Sequence, residues 1–554
     1  MFQLASRPGR TRPLPRPVLS RVTLDLAVAT FIMAVDNLTL WQRGHGVFGG
    51  DLVTLAAFGG AFWALLVLIL TVFGVYRLQK PVLILILCLS AMTSYFQDHL
   101  GTTFDRDMVQ NVVTTTFAEA RHLVSGGFLA SFAVFGLLPS AVVLWVRVRP
   151  QTFRRAVGTW AATVLLAIAV FAALLASDYR TYASAIREHR DLQGSFQPGA
   201  PLAGAVRYAK MMIRSKRIAV APLGTDATKG PFLRDSDKPV LMVIVVGETA
   251  RAASFGLDGY ARDTTPELAR HDLINFSDVQ SCGTATAVSL PCMFSHLGRK
   301  DYSFDKGTGT ENPLDVLGHA GVTAQWIDNN TGDKDIAKRT LSTRLTGLTD
   351  PEHCRSGECD DGVFETLVDD AIAQISTDTV LVLHMIGSHG PAYFLRYPPD
   401  FERFTPACRS ADFSVCTPDE IRNAYDNTIL YTDHVLARLI DNLAAQDRVT
   451  PALLYVSDHG ESLGEGGLYL HGAPYFLAPD VQTKVPMMLW MSERFQSTLG
   501  VTATCIGARA REKLTHDNLF HTVLGLMDID TGVRQNSLDL TAGCRESTET
   551  RQHG

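Results

Sequence analysis

Five long apolar runs, at residues 22–42, 51–76, 79–97, 122–146 and 156–177, fill the first third of this chain and constrain it more than any other feature. Each is close to the ~20 residues that a helix needs to cross ~30 Å of hydrocarbon. A buried core helix is the competing reading of any single run. That reading is weakest for FWALLVLILTVFGV (62–75) and GTWAATVLLAIAVFAALLA (158–176), which carry no charge. The first run has Asp25 and Asp36 near its ends and competes with a cleaved signal peptide, but four more spans follow it, which favours an anchor. With 19% charged residues and a mean hydropathy of +0.10, disorder is excluded and a membrane portion is expected. The net charge of −6 gives no basic face for nucleic acid.

Loop charges orient the spans. Arg7, Arg10, Arg12, Arg16 and Arg21 precede the first run, Arg77 and Lys80 follow the second, and Arg147, Arg149, Arg154 and Arg155 follow the fourth. The intervening loops hold only Arg43, and then Arg106 and Arg121. The positive-inside rule puts the N-terminus in the cytoplasm, and an odd number of spans puts everything after about residue 178 outside. The cysteines agree. Cys88 lies within the third run, whereas Cys282, Cys292, Cys354, Cys359, Cys408, Cys416, Cys505 and Cys544 all lie in the external part. An even number in an oxidising compartment suggests disulfides. Short spacings favour Cys282–Cys292, Cys354–Cys359 and Cys408–Cys416, leaving Cys505–Cys544. No CxxC doublet supports a zinc-binding alternative.

The chain is therefore read as a cytoplasmic tail (1–21), a transmembrane domain of five helices (22–177), a connector with interfacial helices (178–235) and an external domain (236–554). A solvated linker is the plainer reading of the connector. From Lys238 short β runs alternate with helical stretches, the pattern of an α/β fold with a largely parallel sheet flanked by helices.

Three β runs end in chemistry. PVLMVIVV (239–246) leads into Glu248, TVLVLHMIG (379–387) into His389, and PALLYVS (451–457) into Asp458 and His459. Ligands of open α/β sheets gather at the carboxyl ends of strands. Two carboxylates with imidazoles make a divalent site of borderline softness, with zinc favoured over magnesium. A turn or capping role is the ordinary reading of any one such residue, and four after three buried strands make it weak. SCGTATAVSLPCMFS (281–295) offers Thr284, Thr286 and Ser289 as nucleophiles beside a probable helix start. Nucleophile and helix cap remain open readings of these hydroxyls.

VVGETARAASFGLDGYARDTTPEL (245–268), SCGTATAVSLPCMFS, DNNTGDK (328–334), GSHGPAY (387–393) and SDHGESLGEGGLYLHGAPY (457–475) resemble the phosphoethanolamine transferases that modify lipid A. The resemblance runs over nearly the whole chain. It implies an inner-membrane protein of bacteria whose periplasmic catalytic domain is alkaline-phosphatase-like, or sulfatase-like. Carried over by position, it implies Thr286 as nucleophile and Glu248, Thr286, Asp458 and His459 as ligands of a catalytic zinc. His389 and His471 match further active-site histidines, implicated in a second zinc or in handling the transferred group. Asn330 and Lys334 match residues that contact the phosphoethanolamine moiety. DRDMVQNVVTTTFAEA (105–120) resembles the segment that touches the lipid head group, and there Asn111, Thr115 and Glu119 would share one helical face by their i, i+4, i+8 spacing.

The implied reaction is a double displacement in which phosphatidylethanolamine donates to Thr286 and lipid A accepts through a phosphate oxygen or a sugar hydroxyl. A monomer is expected, with no nucleic acid as partner. Masking lipid A phosphate with an ammonium would weaken attraction of polymyxins and other cationic peptides. Related phosphoethanolamine or phosphoglycerol transferases acting on lipopolysaccharide core heptose or a periplasmic glucan share the zinc motifs and are the alternative reading. A sulfatase would need a C/S-x-P-x-R context, which LPCMF does not provide. A non-catalytic membrane sensor would have lost metal ligands, and none is lost.

Overall fold

The computed structural model describes residues 16–545 except 116–119, 217, 346–347, 349, 351 and 356–357. The chain divides into two compact units, one of Met1–Asp98 with Gly127–Ala200 and one of His99–Gly126 with Pro201–Gly554.

The first unit is helical. Its helices α1 (Arg21–Val35) and α2 (Leu38–Val47) meet at a 63° bend, so the first apolar run is a broken span rather than one straight helix. Asn37 sits at the break, where its Nδ2 donates to the carbonyls of Ile32 and Gln197, each at 3.0 Å. A side chain that replaces main-chain partners in this way makes a kink affordable in a helix. The helices α3 (Leu52–Phe73) and α4 (Gln79–Leu100) follow; after α5 (Arg106–Thr114) of the second unit come α6 (Gly126–Trp145) and α7 (Phe153–Ser177). Asp51 caps α3 by accepting from Val53 N and Thr54 N. Among the described residues, four helices are long and apolar enough to cross a membrane, or five counting the bent pair as one. Leu165 and Leu166 on α7 are 68% and 65% exposed, which suits an apolar surround rather than water.

The second unit is built on an eight-stranded sheet: β1 (Val240–Gly247), β2 (Ile274–Gln280), β3 (Thr323–Asp328), β4 (Leu341–Arg344), β5 (Thr379–His384), β6 (Thr450–Ser457), β7 (Lys484–Met491) and β8 (Leu514–Thr515). The spatial order is β8-β2-β7-β6-β1-β5-β3-β4, and only β7 runs antiparallel to its neighbours. The sheet is therefore mixed but largely parallel. The central strands β1, β5 and β6 are buried along their whole length, as continuous apolar runs covered on both faces should be. One face packs Leu290, Met293, Phe520 and Val523 against Val240, Met242 and Ile244. The other packs Val363, Phe364, Ile429 and Leu436 against Leu241, Val243 and Val245.

Register aligns the strand ends. Ser457 pairs with Gly247, and His384 with both Val246 and Asp328, so the carboxyl ends of β6, β1, β5 and β3 lie side by side. The cysteines pair as 282–292, 354–359, 408–416 and 505–544, and Cys88 is free.

Candidate active site

The turns after these strands bring together residues far apart in the chain. Ligand atoms of Glu248, Asp458 and His459 lie within 4.8 Å of one another, and all three residues are fully buried. Glu248 leaves β1 into Thr249, whose φ of +59° is costly for a β-branched residue. The conformation is held from both sides. Thr249 N donates to Asp458 Oδ1 at 3.2 Å, Tyr425 OH donates to the Thr249 carbonyl at 2.7 Å, and the Thr249 hydroxyl donates to Glu248 Oε1. Gly387 also has positive φ, and a Cβ there would lie 2.6 Å from the Glu248 carbonyl, so this close approach requires glycine.

The hydroxyl loop resolves into distinct roles. Helix α8 (Thr286–Met293) begins without a side-chain cap, and Thr286, its first residue, donates to Glu248 Oε2 at 2.9 Å and lies 3.3 Å from His459 Nε2. Thr284 turns instead to the Ala473 carbonyl at 2.7 Å, and Ser289 to the Asp458 carbonyl at 2.5 Å. Of the three hydroxyls, only Thr286 reaches the carboxylate–imidazole cluster.

His459 Nδ1 lies 2.9 Å from the Gly460 carbonyl. A carbonyl only accepts, so Nδ1 carries a hydrogen and Nε2 is the ring nitrogen that faces the cluster. Burial would raise the Glu248 carboxyl, but His459, His389, His471 and the Thr249 hydroxyl outweigh it and hold it far below its ordinary range. Burial and then the Glu248 charge push Asp458 the other way, well above its ordinary range. Two buried carboxylates driven apart like this lack positive charge. Asp458 Oδ2 is buried with no hydrogen-bond partner among the described residues. Two carboxylates, one imidazole nitrogen and a hydroxyl fit a divalent cation.

Of the other sequence candidates, Asn330, His389 and His471 border this cluster, whereas Lys334 lines a separate cleft. Asn330 donates Nδ2 to Glu248 Oε2 and to the Met385 carbonyl, each at 2.8 Å. The His471 ring centroid is 4.4 Å from that of His459 and 6.0 Å from that of His389. Lys334 donates Nζ to the carbonyl and hydroxyl of Thr331 at 2.9 and 2.7 Å, and lines a small cleft with Pro291, Glu311 and Arg339. Asn111 lies on α5, but that helix does not extend to Thr115. Helix α5 ends at Thr114, Thr115 is extended, and Glu119 lies outside the described residues. The hydroxyls of Thr114 and Thr115 bond back to the carbonyls of Gln110 and Asn111 at 3.0 and 2.7 Å, and β-branched residues 112–116 propagate a helix poorly.

Several supporting residues had no distinct sequence signal. Glu461 accepts from Tyr393 OH at 2.7 Å and holds His471 Nδ1 at 2.9 Å. Asp361 accepts from Asn329 Nδ2, Ile386 N and Gly387 N at 2.8–2.9 Å, bracing the turns that carry Asn330 and His389. Asp328 pairs with His384 Nδ1 at 3.0 Å at the ends of β3 and β5. His516 accepts from Cys282 N at 3.1 Å and reaches the Ser457 carbonyl at 3.0 Å, tying the Thr286 loop to β6.

Comparison with known proteins agrees with this architecture. The family model described as Sulfatase matches residues 241–529, and that described as Phosphoethanolamine transferase EptA/EptB matches residues 62–213. The chain is 36% identical to the phosphoethanolamine transferase EptA of Escherichia coli K12, over 97% of this chain and 100% of that protein. It is 36% identical to the phosphatidylethanolamine transferase Mcr-1 of Escherichia coli, over 93% and 96% respectively. The solved integral membrane lipooligosaccharide phosphoethanolamine transferase A from Neisseria meningitidis superimposes with a TM-score of 0.92 at 34% identity, over 96% of this chain and 100% of that one.

Proposed function

The chain belongs to the phosphoethanolamine transferase family of the sulfatase and alkaline phosphatase superfamily, and from that premise we propose that it moves phosphoethanolamine from phosphatidylethanolamine to lipid A through a covalent adduct on Thr286. The observation that carries this reading is the Thr286 hydroxyl, bonded to Glu248 Oε2 at 2.9 Å inside a buried cluster with Asp458 and His459.

The Thr286 oxygen forms a bond to the donor phosphorus while the bond from phosphorus to the diacylglycerol oxygen breaks. The hydroxyl proton leaves along the contact already made to Glu248. Zinc held by Glu248, Thr286, Asp458 and His459 would supply the positive charge that makes a threonine alcohol nucleophilic near neutral pH and offsets charge on phosphoryl oxygens. Asn330 Nδ2 donates to the same Glu248 oxygen that accepts from Thr286, and so helps fix that carboxylate. His471, fixed by Glu461 with its Nε2 turned away from that carboxylate, or His389 beside it, gives the departing oxygen a proton. The same histidine takes the proton of the acceptor when a lipid A phosphate or sugar hydroxyl attacks the adduct, which restores Thr286.

Both substrates are lipids. A catalytic domain on the periplasmic side of the inner membrane, working as a monomer, meets them along a surface rather than in solution. Added ammonium groups lower the negative charge that draws polymyxins. Mass spectrometry of lipid A from cells with and without the protein tests the reading. A gain of one phosphoethanolamine unit that disappears with Thr286→Ala is expected, and an unmodified lipid A in both strains would reject the acceptor.

A further inference from the structure

The membrane unit holds a cavity of about 600 Å³ among the ends of α1, α3 and α7 nearest the N-terminus, within the ~300–1,000 Å³ range of small-molecule sites. Apolar groups of Val22, Val75, Val157 and Trp160 form most of its wall. Phe153 and Val157, on its α7 side, are 83% and 47% exposed, so the cavity opens onto an apolar outer face. An acyl chain suits such a wall.

The polar end is basic. Arg21 lines the cavity, and its Nε is buried without a hydrogen-bond partner among the described residues. Its guanidinium lies 5.7 Å from the ring centroid of Tyr76, and that of Arg77 lies 5.6 Å from the same ring. Arg154 and Arg155 follow the lining residue Phe153. Asp25 is the acid in the wall. It holds Gln79 Nε2 at 2.8 Å and answers only one of these charges. Basic pockets between spans select anionic headgroups.

We infer that this cavity binds one anionic glycerophospholipid, its phosphate accepting from Arg21 and one acyl chain lying along α3 and α7. The inference concerns the membrane unit and is independent of the transfer chemistry.

The full chain, purified in detergent, is titrated with phosphatidylglycerol or phosphatidylethanolamine and weighed by native mass spectrometry. One bound phosphatidylglycerol per chain is expected, at least tenfold more abundant than the phosphatidylethanolamine adduct. Arg21→Gln should lower that adduct about tenfold, and Ala156→Trp, which fills the cavity from α7, should remove it. Thermal melting checks that both variants are folded. Should Ala156→Trp fail to fold, photo-crosslinkable phosphatidylglycerol on the unaltered chain decides the matter, and labelling outside residues 21–25, 71–76 and 153–163 overturns the site. Equal adducts with both lipids would mean annular lipid only and overturn the proposal. So would a cavity filled by residues 1–15, seen as binding that begins only after their removal.

Discussion

Arg396 donates Nε to the His389 carbonyl at 2.9 Å and Nη1 to Glu358 Oε2 at 3.4 Å, so Glu358 is one step from a histidine of the candidate site. The same carboxylate oxygen lies 3.2 Å from His122 Nε2 and 3.9 Å from Arg121. Glu358 is carried on a short hairpin closed by Cys354–Cys359. The segment between α4 and α6 is thus tied to His389 through one carboxylate.

This tie is pH-dependent with a defined sign. Burial would raise Glu358, but the His122 hydrogen bond and the charges of Arg396, His122 and Arg121 outweigh it and bring the group down to about 2 from an ordinary 4.5. A carboxylate depressed on folding contributes stability in full above its ordinary value and loses it as pH falls through the folded value, here between about 4.5 and about 2. Hydrogen exchange of residues 120–126, corrected for intrinsic rate, should therefore be faster at pH 3 than at pH 6. In Glu358→Gln it should be fast at both, and equal protection of the unaltered chain at both pH values would refute the tie.

Thr286 and Thr284 should separate cleanly. Thr286→Ala removes the only hydroxyl of the loop that meets Glu248, so transfer should fall by at least a thousandfold with little change in melting temperature. Thr284→Ala loses one bond to the Ala473 carbonyl and should cost about 1 kcal/mol while transfer continues. Similar transfer rates in the two variants, measured on a fluorescent phosphatidylethanolamine, would contradict the assignment.

Metal content is a direct probe of the cluster. Elemental analysis of the full chain in detergent should give at least one zinc per chain. Asp458→Asn and Glu248→Gln, which remove ligand charge without changing shape, should each reduce it several-fold. Full zinc occupancy in both variants would place the ion elsewhere.

His516 supports the loop without touching the reacting atoms. Burial holds its imidazole down to about 3, so it is neutral and keeps one donor and one acceptor. His516→Ala strands the Cys282 N–H and the Ser457 carbonyl in the interior, which should cost about 2–4 kcal/mol. The expected readout is a lower melting temperature, with zinc retained below it.

The legible parts of the site were those where a strand pattern stops abruptly in chemistry. Continuous apolar runs fix β1, β5 and β6 as buried strands, and Glu248, Asp458 and His459 follow at positions that parallel neighbours must bring together. Thr286 was separable from Thr284 only by resemblance, because both lie at the start of one helix and their directions depend on where Ala473 returns from a distant loop. The antiparallel course of β7 was hidden, since an apolar run does not encode direction. Asn37 breaks the first span through a partner 160 residues away, and Asp361 gathers three donors from two turns, so neither role leaves a local mark. The helix that carries Asn111 stops short of Thr115, within a threonine run that spacing alone ignored.

Ser457 beside Gly247 means that the two halves of the cluster are contributed by strands more than two hundred residues apart in synthesis. No nascent product that stops short of His459 can therefore assemble Glu248, Asp458 and His459 into one cluster.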